Sequence, residues 1–313
     1  MISVIIPTYR RYTYLRQAVQ SVVQQNYSDI EIIIIDDHSE DETKKIVKDF
    51  PKIHYIENDK NKGPGYSRKI GLKIAQGEYV VFLDDDDYYT DNSFFYTAVD
   101  ILEKNSDYVF VSANADELYV ETGEKEKNEL NVKGQISSKE YLAGFVSKYK
   151  KPLSTFTTIF RRSCLIRAGV LEMKMVNDMA IYLRVLRDGN IYFLERTIGI
   201  YRIHKNNISK NISADFLLDN LKEKYEIYSY IKENSLLREY DSWWLAQIET
   251  TVSYYVYGSR PALIKLYKIY KWCRKHSDSK SDIKRIFKKY NAYLIDYNIC
   301  DFKLAIKRLL GRI

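Results

Sequence analysis

Short apolar runs alternate with helix-like segments through the N-terminal third of the chain, at residues 2–6, 30–35, 53–56, 79–83 and 108–111. After the first run, Leu15, Ala18 and Val22 follow at spacings of three and four residues, the period of an α-helix. Strands that alternate with helices require parallel crossovers, so we predict an α/β fold whose sheet is covered by helices on both faces. Ligands of such sheets bind at the carboxyl ends of the strands, which makes the residues after each run the candidates for function.

The composition is that of a globular protein with its own core. Of 313 residues, 45 % are hydrophobic, and a chain of this length buries roughly 75 % of its extended surface. The three cysteines, Cys164, Cys273 and Cys300, lie far apart in no metal-binding or redox spacing, which argues against a disulfide-built secreted protein. No apolar stretch approaches the roughly 20 residues of a membrane span, and the first residues do not resemble a signal peptide. We therefore expect a cytoplasmic protein, with the inner face of the cell membrane as the alternative location.

Beyond residue 213 the pattern is that of helices alone, with apolar side chains recurring at i, i+3, i+4 and i+7. We predict a catalytic-type α/β domain over residues 1–210 and a helical C-terminal region over residues 211–313. The net charge of +7 arises after residue 259, because acidic residues outnumber basic ones before it. The basic character therefore belongs to the helical region.

Four consecutive aspartates, Asp84 to Asp87, directly follow the apolar run at residues 79–83. Adjacent like charges repel by about 1 kcal/mol per contacting pair even in water, so a positive group is expected beside them. Carboxylate oxygens suit Mg²⁺ or Mn²⁺, which in turn bridge phosphate oxygens. The alternative is a solvated acidic turn that caps the next helix. Because the aspartates follow a strand of an α/β sheet, we favour the metal.

Aromatic and polar residues follow other strands of the predicted sheet. Tyr9, close after Pro7, offers a ring on which a pyrimidine base stacks, and Asp37 offers an acceptor for a ring N–H. The alternatives are that Asp36 or Asp37 caps the following helix and that Tyr9 simply packs. Arg68 lies one turn into the helix after a Gly-Pro-Gly turn, where its guanidinium reaches a base or a phosphate.

Three motifs carry a resemblance to a known family: SVIIPTY, IIIIDDHSEDET and NKGPGYSRKIGLKIAQGEYVVFLDDDD. In this order they resemble family 2 glycosyltransferases of the GT-A fold. The G-x-G-x-x-G and G-x-x-x-x-G-K-[ST] fingerprints of dehydrogenases and P-loop enzymes are absent from the sequence. The resemblance implies a Rossmann-like mixed sheet, here with a helical C-terminal region. It also implies a nucleotide-sugar donor, usually linked to UDP, a Mn²⁺ or Mg²⁺ cofactor and inversion at the sugar carbon.

The resemblance assigns donor-nucleotide contacts to the loops after the first two strands. Pro7 and Tyr9 match the loop that contacts uracil, and Asp37 matches the carboxylate that recognises the base. Arg10 and His38 depart from the family pattern, since they stand where Asn and Gly are usual. These departures bear on base recognition and leave the class of enzyme unchanged.

The resemblance also assigns the acidic residues. Asp84 and Asp86 match the two acids of the D-x-D motif, with Asp86 as the direct metal ligand, and Asp85 falls where a ribose contact is usual. Arg68 matches the arginine of the A-R-N element and so joins the donor-binding residues. His204, in a Y-R-x-H element, is a candidate metal or diphosphate contact, with a structural role as the alternative.

An inverting transfer needs a carboxylate that accepts the proton of the acceptor hydroxyl. Asp178 matches the aspartate of the family's E-D-x-x-x-x-x-R element and is the implied base, with Asn177 in place of the common Glu. The alternative is an ordinary helix N-cap.

The last predicted helix combines an apolar stripe at residues 302–310 with lysine and arginine. Such a helix lies on an anionic membrane surface, packs on its own protein, or contacts a second subunit of a homo-oligomer. No nucleic-acid-binding module accompanies the basic region, so we expect no nucleic-acid partner. By analogy with the family, the acceptor is a saccharide, a lipid-linked glycan or a glycoprotein, and the process is cell-surface polysaccharide or glycan synthesis.

Two other functions fit the acidic residues. A nucleotidyl or phosphoryl transferase would use them to hold two metals, but the further ligands that it needs are not convincingly placed. A noncatalytic nucleotide-sugar-binding protein would keep the fold without a working base, which the departure at Asn177 leaves open. We therefore predict a metal-dependent UDP-sugar glycosyltransferase and retain these two as alternatives.

Overall fold

The computed structural model describes residues 1–174, 176–205, 207 and 213–309, with side chains to residue 297. It divides into two compact units, Met1–His204 and Lys205–Ile313. The boundary predicted at residue 210 falls within residues 208–212, which lie outside the described residues.

One mixed sheet of ten strands, counted over the described residues, forms the centre of the first unit. The strands are β1 (Ile2–Thr8), β2 (Ile30–Asp36), β3 (His54–Glu57), β4 (Tyr79–Phe82), β5 (Tyr88–Tyr89), β6 (Tyr108–Tyr119), β7 (Lys125–Glu126), β8 (Gly134–Ile136), β9 (Thr158–Arg161) and β10 (Asn190–Ile203). Their order is β3-β2-β1-β4-β9-β6-β10-β5, with β7 beside β6 and β8 beside β10. The first four strands pair in parallel, as predicted, whereas β9 runs antiparallel to both β4 and β6.

The strand β10 is longer than the sequence indicates. The apolar pattern predicts a strand over residues 198–203, and the structure extends this strand back to Asn190. Its pairing with β6 shifts register between Phe193 and Thr197 and again between Thr197 and Ile200. Such bulges interrupt the two-residue alternation by which a strand is recognised, which explains the short prediction.

Helices cover the sheet of the first unit. Among the described residues they are α1 (Tyr12–Val23), α2 (Ile46–Asp49), α3 (Pro64–Ile74), α4 (Phe94–Lys104), α5 (Ser138–Ala143), α6 (Arg162–Arg167) and α7 (Asp178–Val185). Leu15, Ala18 and Val22 of α1 are completely buried against the sheet, as their spacing predicts. The strands β1 and β4 are buried along their whole length, so the core lies on both faces of the sheet.

The second unit is helical throughout its described part. It consists of α8 (Ala214–Glu233), α9 (Tyr240–Ser259), α10 (Leu263–Lys275) and α11 (Lys280–Leu309). Aromatic rings join the first three of these helices, with Trp244 of α9 in ring contact with Tyr228 of α8 and Trp272 of α10. The apolar stripe predicted at residues 302–310 lies outside the described side chains. None of the helices that could be searched combines the length and the apolar character of a membrane span.

The helix α3 approaches the central strand β1 at a glycine. A Cβ atom on Gly71 would lie 2.2 Å from Cγ2 of Ile5, a residue that is completely buried. Any side chain at this position would push α3 away from the sheet. The glycine therefore fixes the distance between the sheet and the helix that carries Arg68.

Replacing Gly71 by alanine should lower the free energy of unfolding by about 1–3 kcal/mol, because the added methyl group overpacks a filled core. Gly65→Ala in the same helix is the matched control. Its Cβ would lie no closer than 3.4 Å to Val176, so alanine there should leave stability unchanged or raise it. Urea unfolding of both variants measures the difference, and equal losses would contradict the close approach at Gly71.

Candidate active site

The carboxyl ends of β1, β2 and β4 lie side by side at one edge of the sheet. In register, Thr8 of β1 lies opposite Asp36 of β2, and β4 pairs with β1 on its other side. The residues that follow these strands are therefore brought together: Tyr9, Asp37, and Asp84 to Asp87, which we name the acidic cluster.

Thr8 and Arg11 hold the middle of the acidic cluster. The Thr8 hydroxyl donates to Asp85 Oδ2 at 2.7 Å. Arg11 Nη1 lies 3.1 Å from Asp85 Oδ1 and 2.6 Å from Asp86 Oδ2, and both of these carboxylates are buried. The positive group expected beside the aspartates is thus present, and it is an arginine of the chain itself.

Arg68 joins the acidic cluster to the loop before α7. Its side chain is almost completely buried, with Nη2 2.5 Å from Asp84 Oδ1. The other terminal nitrogen donates to the backbone carbonyl oxygen of Val176 at 3.0 Å. Because Val176 lies two residues before Asp178, this arginine fixes the loop that leads to the candidate base.

Asp86 contacts the imidazole of His204, which follows the end of β10. The distance between Asp86 Oδ2 and His204 Nε2 is 2.9 Å, and both side chains are less than a tenth exposed. The imidazole stacks on Tyr14 with ring centroids 5.8 Å apart. The structure therefore places His204 at the candidate metal ligand, as the sequence suggests.

Arg202 covers the far end of the acidic cluster. Its backbone N–H donates to Asp87 Oδ1 at 3.1 Å, and its guanidinium donates to the backbone carbonyl oxygen of Asp86. The guanidinium lies 4.8 Å from the ring centroid of Tyr14 and 4.4 Å from that of Tyr88. Arg202 is thereby held between two aromatic rings against the cluster.

The acidic cluster carries more negative charge than its arginines compensate. Burial and the charge of Asp86 raise the pKa of Asp85 to about 7, although Arg11 opposes this shift. Burial and the neighbouring aspartates raise the pKa of Asp87 well above its usual range. A buried oxygen of Asp87, Oδ2, has no hydrogen-bond partner. A further cation would therefore be stabilised at this cluster.

The residues at the acidic cluster fit a cation that is shared with a substrate. In the described part of the chain, no three His, Cys, Asp or Glu side chains form a complete metal-binding cluster. Mg²⁺ is usually held by one or two carboxylates and takes its remaining ligands from substrate phosphates and water. Asp86 Oδ2 and His204 Nε2 hydrogen-bond to each other and would have to separate to ligate a cation, whereas Asp87 Oδ2 is a buried carboxylate oxygen without a hydrogen-bond partner.

Asp37 holds the turn before α3 and does not cap a helix. Its Oδ1 accepts from Asn58 Nδ2 at 2.9 Å and from the Lys62 backbone N–H at 2.8 Å, and its Oδ2 accepts from the Gly63 backbone N–H at 2.6 Å. Asp41 instead caps the 3-10 helix Glu42–Lys45, which precedes α2. A carboxylate has about four acceptor positions, so Asp37 keeps one for a ring N–H.

The loop after β1 carries Tyr9 to the surface. Tyr9 is 38 % exposed, whereas Pro7 is a buried residue of β1. The Arg10 guanidinium lies 5.0 Å from the Tyr9 ring centroid, and Arg10 Nε donates to the Ser39 carbonyl oxygen at 2.9 Å. Arg10 and His38 have φ values of 55° and 69°, in the left-handed region that Asn and Gly adopt most readily. These two positions therefore require the conformation for which the usual Asn and Gly are suited.

Asp178 is the first residue of α7, and the cap of that helix is its neighbour. The Asn177 side chain accepts from the Ala180 backbone N–H at 2.9 Å. Asp178 Oδ2 pairs with Lys151 Nζ at 2.6 Å. Burial acts to raise the pKa of Asp178, but the charges of Lys151 and Arg68 outweigh burial and hold this pKa below its usual value. The carboxylate is therefore ionised, which is the form that a general base requires.

Arg11 and Lys151 are parts of the site that the sequence did not reveal. Arg11 lies two residues after Tyr9, so its place in the loop after β1 was the available signal. Lys151 offered no such signal, because it follows no strand of the parallel half and reaches Asp178 across 27 residues of sequence.

Comparison with known proteins identifies a family model and individual proteins that are similar to this chain. Residues 3–169 match the family model for Glycosyl transferase family 2. The chain is 30 % identical over 286 residues to GalNAc(5)-diNAcBac-PP-undecaprenol beta-1,3-glucosyltransferase of Campylobacter jejuni, an alignment that covers 86 % of this chain and 84 % of that protein. It is 34 % identical over 116 residues to Poly(ribitol-phosphate) beta-N-acetylglucosaminyltransferase TarS of Staphylococcus aureus, covering 35 % of this chain and 20 % of that protein.

Solved structures share the fold. The crystal structure of S. aureus TarS 1-349 in complex with UDP-GlcNAc is similar with a TM-score of 0.62 at 18 % identity. The match covers 93 % of this chain and 91 % of that chain. At this level of sequence identity the similarity shows the fold alone.

Replacing Lys151 by methionine should raise the pKa of Asp178, because burial then acts on the carboxylate without its nearest positive charge. NMR titration of isotope-labelled aspartate carboxyl groups measures this pKa in both proteins. Lys150→Met is the matched control, since Lys150 donates to the Glu129 carbonyl oxygen at 2.9 Å. An unchanged titration of Asp178 in Lys151→Met would show that the ion pair does not keep the base ionised.

Proposed function

Because this chain belongs to glycosyl transferase family 2, we propose that it transfers a sugar from a UDP-sugar to an acceptor hydroxyl, with a divalent cation and with inversion at the sugar carbon. The chain is a glycosyltransferase on the strength of its family and its relatives. The observation that supports a UDP-sugar donor and a divalent cation is the acidic cluster, in which Asp85, Asp86 and Asp87 are buried and incompletely neutralised and Asp84 is linked through Arg68 to the loop of Asp178.

The UDP moiety would bind along the carboxyl edge of β1, β2 and β4. The exposed ring of Tyr9 offers a stacking surface for uracil beside Pro7, and Asp37 offers its remaining acceptor position to the uracil N–H. Asp85 would contact the ribose, and Arg68 would bring positive charge towards the phosphates. In support, the structurally similar TarS fragment was crystallised with UDP-GlcNAc.

Asp86 and His204 would hold Mn²⁺ or Mg²⁺, with Asp84 as the second acid of the D-x-D motif. Bound there, the cation neutralises charge on the diphosphate as it leaves. Arg11 already contacts Asp85 and Asp86 and provides a second positive charge for the same oxygens. The site would thus combine the guanidinium of Arg11 with a Mn²⁺ or Mg²⁺ ion that binds together with the donor.

Asp178 would accept the proton of the acceptor hydroxyl. As that proton moves to the carboxylate, the hydroxyl oxygen bonds to the anomeric carbon from the side opposite the diphosphate. The bond from the anomeric carbon to the phosphate oxygen breaks, and UDP leaves with the electron pair. Lys151 and Arg68 keep Asp178 ionised for this step, because their positive charges offset the cost of burying it.

The acceptor would be a lipid-linked glycan or a surface polymer. By their names, the relatives transfer glucose to an undecaprenol-linked glycan and N-acetylglucosamine to poly(ribitol-phosphate). The alignment with the first of these covers 84 % of that protein, so it includes both units of this chain. We accordingly place the reaction in cell-surface polysaccharide synthesis.

A panel of UDP-sugars incubated with Mn²⁺ or Mg²⁺ should contain a donor that the wild type hydrolyses, and chelation of the cation should stop this hydrolysis. Asp86→Ala should slow hydrolysis by about 100-fold or more, because a metal contributes several kcal/mol to the transition state. Asp100→Ala, which removes an exposed acid of α4 paired with Lys104, is the matched control. Equal rates for wild type and Asp86→Ala would refute the metal role of Asp86.

Replacing Asp178 by asparagine should leave UDP binding intact and lower sugar transfer by about 100-fold or more, since a general base contributes at least that factor. Calorimetry with UDP and a transfer assay measure the two effects separately. Asp188→Asn is the matched control, because Asp188 is a partly buried aspartate paired with Arg167. Unchanged transfer would refute the base assignment, and UDP binding without turnover of any donor would favour a noncatalytic binding protein.

A further inference from the structure

The helix α10 presents an exposed side on which apolar and basic residues lie together. This side, which we name the α10 face, consists of Leu263, Ile264, Tyr267, Lys271, Arg274 and Lys275. Each of these residues lies three or four positions from another member of the set, so they share one side of the helix. Leu263, Ile264 and Tyr267 are 40 %, 73 % and 50 % exposed. The opposite side, with Leu266 and Ile269, is completely buried in the helical unit.

The α10 face carries a concentration of positive charge. The sequence of α10 contains five basic residues and no acidic one. Lys268, which lies beside this face, pairs with Asp215 of α8 at 2.7 Å. Within the described part of the chain, Lys271, Arg274 and Lys275 form no ion pair, and Lys271 Nζ lies 4.8 Å from the ring centroid of Tyr267. Three cations therefore extend from the same side as the exposed apolar residues.

The end of α9 also exposes aromatic side chains. Tyr254 and Tyr257, in the last two turns of α9, are 54 % and 48 % exposed. Ser259 ends α9, and α10 begins four residues later at Leu263, so these tyrosines lie near the start of α10. The Arg260 guanidinium, in the connection, lies 4.3 Å from the ring centroid of Tyr297 on α11. Tyrosine and arginine side chains are therefore exposed near the start of α10 as well.

We propose that the α10 face binds the anionic surface of a lipid membrane. Ile264, Leu263 and Tyr267 would enter the headgroup region, while Lys271, Arg274 and Lys275 would lie against lipid phosphates with their alkyl stems in the same layer. This surface role rests on the proposed function in one respect, because a lipid-linked acceptor is held at the same membrane surface.

Apolar exposure is what favours a membrane over a soluble polyanion. A dissolved anionic polymer would contact the basic residues and leave Ile264 in water, so it gains nothing from the most exposed aliphatic residue of the face. A lipid surface covers both kinds of side chain at once. The α10 face is also distinct from the predicted stripe at residues 302–310, whose side chains lie outside those that the structure describes.

Sedimentation of the full chain with vesicles tests the proposal. Vesicles of phosphatidylcholine mixed with phosphatidylglycerol should bind the wild type, and phosphatidylcholine alone should bind it far more weakly. Lys271→Gln with Lys275→Gln should lower binding to the mixed vesicles by about tenfold or more, since each basic residue near the surface contributes about fivefold. Ile264→Ser should lower it by about fivefold.

Matched controls come from exposed residues of the first unit. Tyr96→Ser removes a side chain of α4 that is 61 % exposed, and Lys44→Gln with Lys45→Gln removes two exposed lysines. These variants should bind the vesicles as the wild type does. UDP-sugar hydrolysis without vesicles should be the same in all variants, so a failure of vesicle binding is separate from a failure of the proposed chemistry.

Three results would overturn the proposal. The first is a wild type that does not sediment with the anionic vesicles. The second is vesicle binding that depends on Lys271 and Lys275 but not on Ile264, which would show that the face responds to negative charge alone and does not enter the lipid. The third is self-association, seen by analytical ultracentrifugation and removed by Ile264→Ser without any vesicle binding, which would identify a second copy of the chain.

Discussion

The burial of three adjacent carboxylates, Asp85, Asp86 and Asp87, beside the partly exposed Asp84 is the constraint on which the first unit depends. Charges removed from water need partners of opposite sign, and here the partners come from separate parts of the chain. Arg11 lies before α1, Arg68 lies on α3, and Arg202 lies at the end of β10 with His204 close behind it. The acidic cluster therefore ties together elements that are far apart in sequence. Its remaining excess of negative charge suits a substrate that brings both a cation and a diphosphate.

The surroundings shift the pKa values of two carboxylates of the site in opposite directions. Burial and the neighbouring Asp86 raise the pKa of Asp85, whereas Lys151 and Arg68 hold the pKa of Asp178 low in spite of burial. Such a separation of pKa values marks different chemical roles within one site. The raised pKa of Asp85 would fall if a further positive charge were bound beside it, whereas the lowered pKa of Asp178 keeps this carboxylate ionised. Arg68 pairs with Asp84 of the acidic cluster and also helps to hold the pKa of Asp178 low.

The sequence was sufficient for the parallel half of the sheet and for the family. Continuous apolar runs identified β1, β2 and β4, and the order of the motifs identified a GT-A glycosyltransferase, which the relatives confirm. The sequence was insufficient where contacts are distant or a pattern is broken. Lys151 reaches Asp178 through a loop without periodicity, and the register shifts of β10 hide its first half. The binding, metal and catalytic roles given to the site residues stay predictions, from Pro7, Tyr9 and Asp37 to Arg68, the acidic cluster, Asp178 and His204.

The most direct test of the acidic cluster is a crystal of this protein soaked with Mn²⁺ and UDP and measured at a wavelength where manganese scatters anomalously. We expect an anomalous peak beside Asp86 and His204, in contact with the diphosphate of UDP. UDP bound elsewhere, with no peak at the cluster and with Arg11 still paired to Asp85 and Asp86, would contradict this expectation.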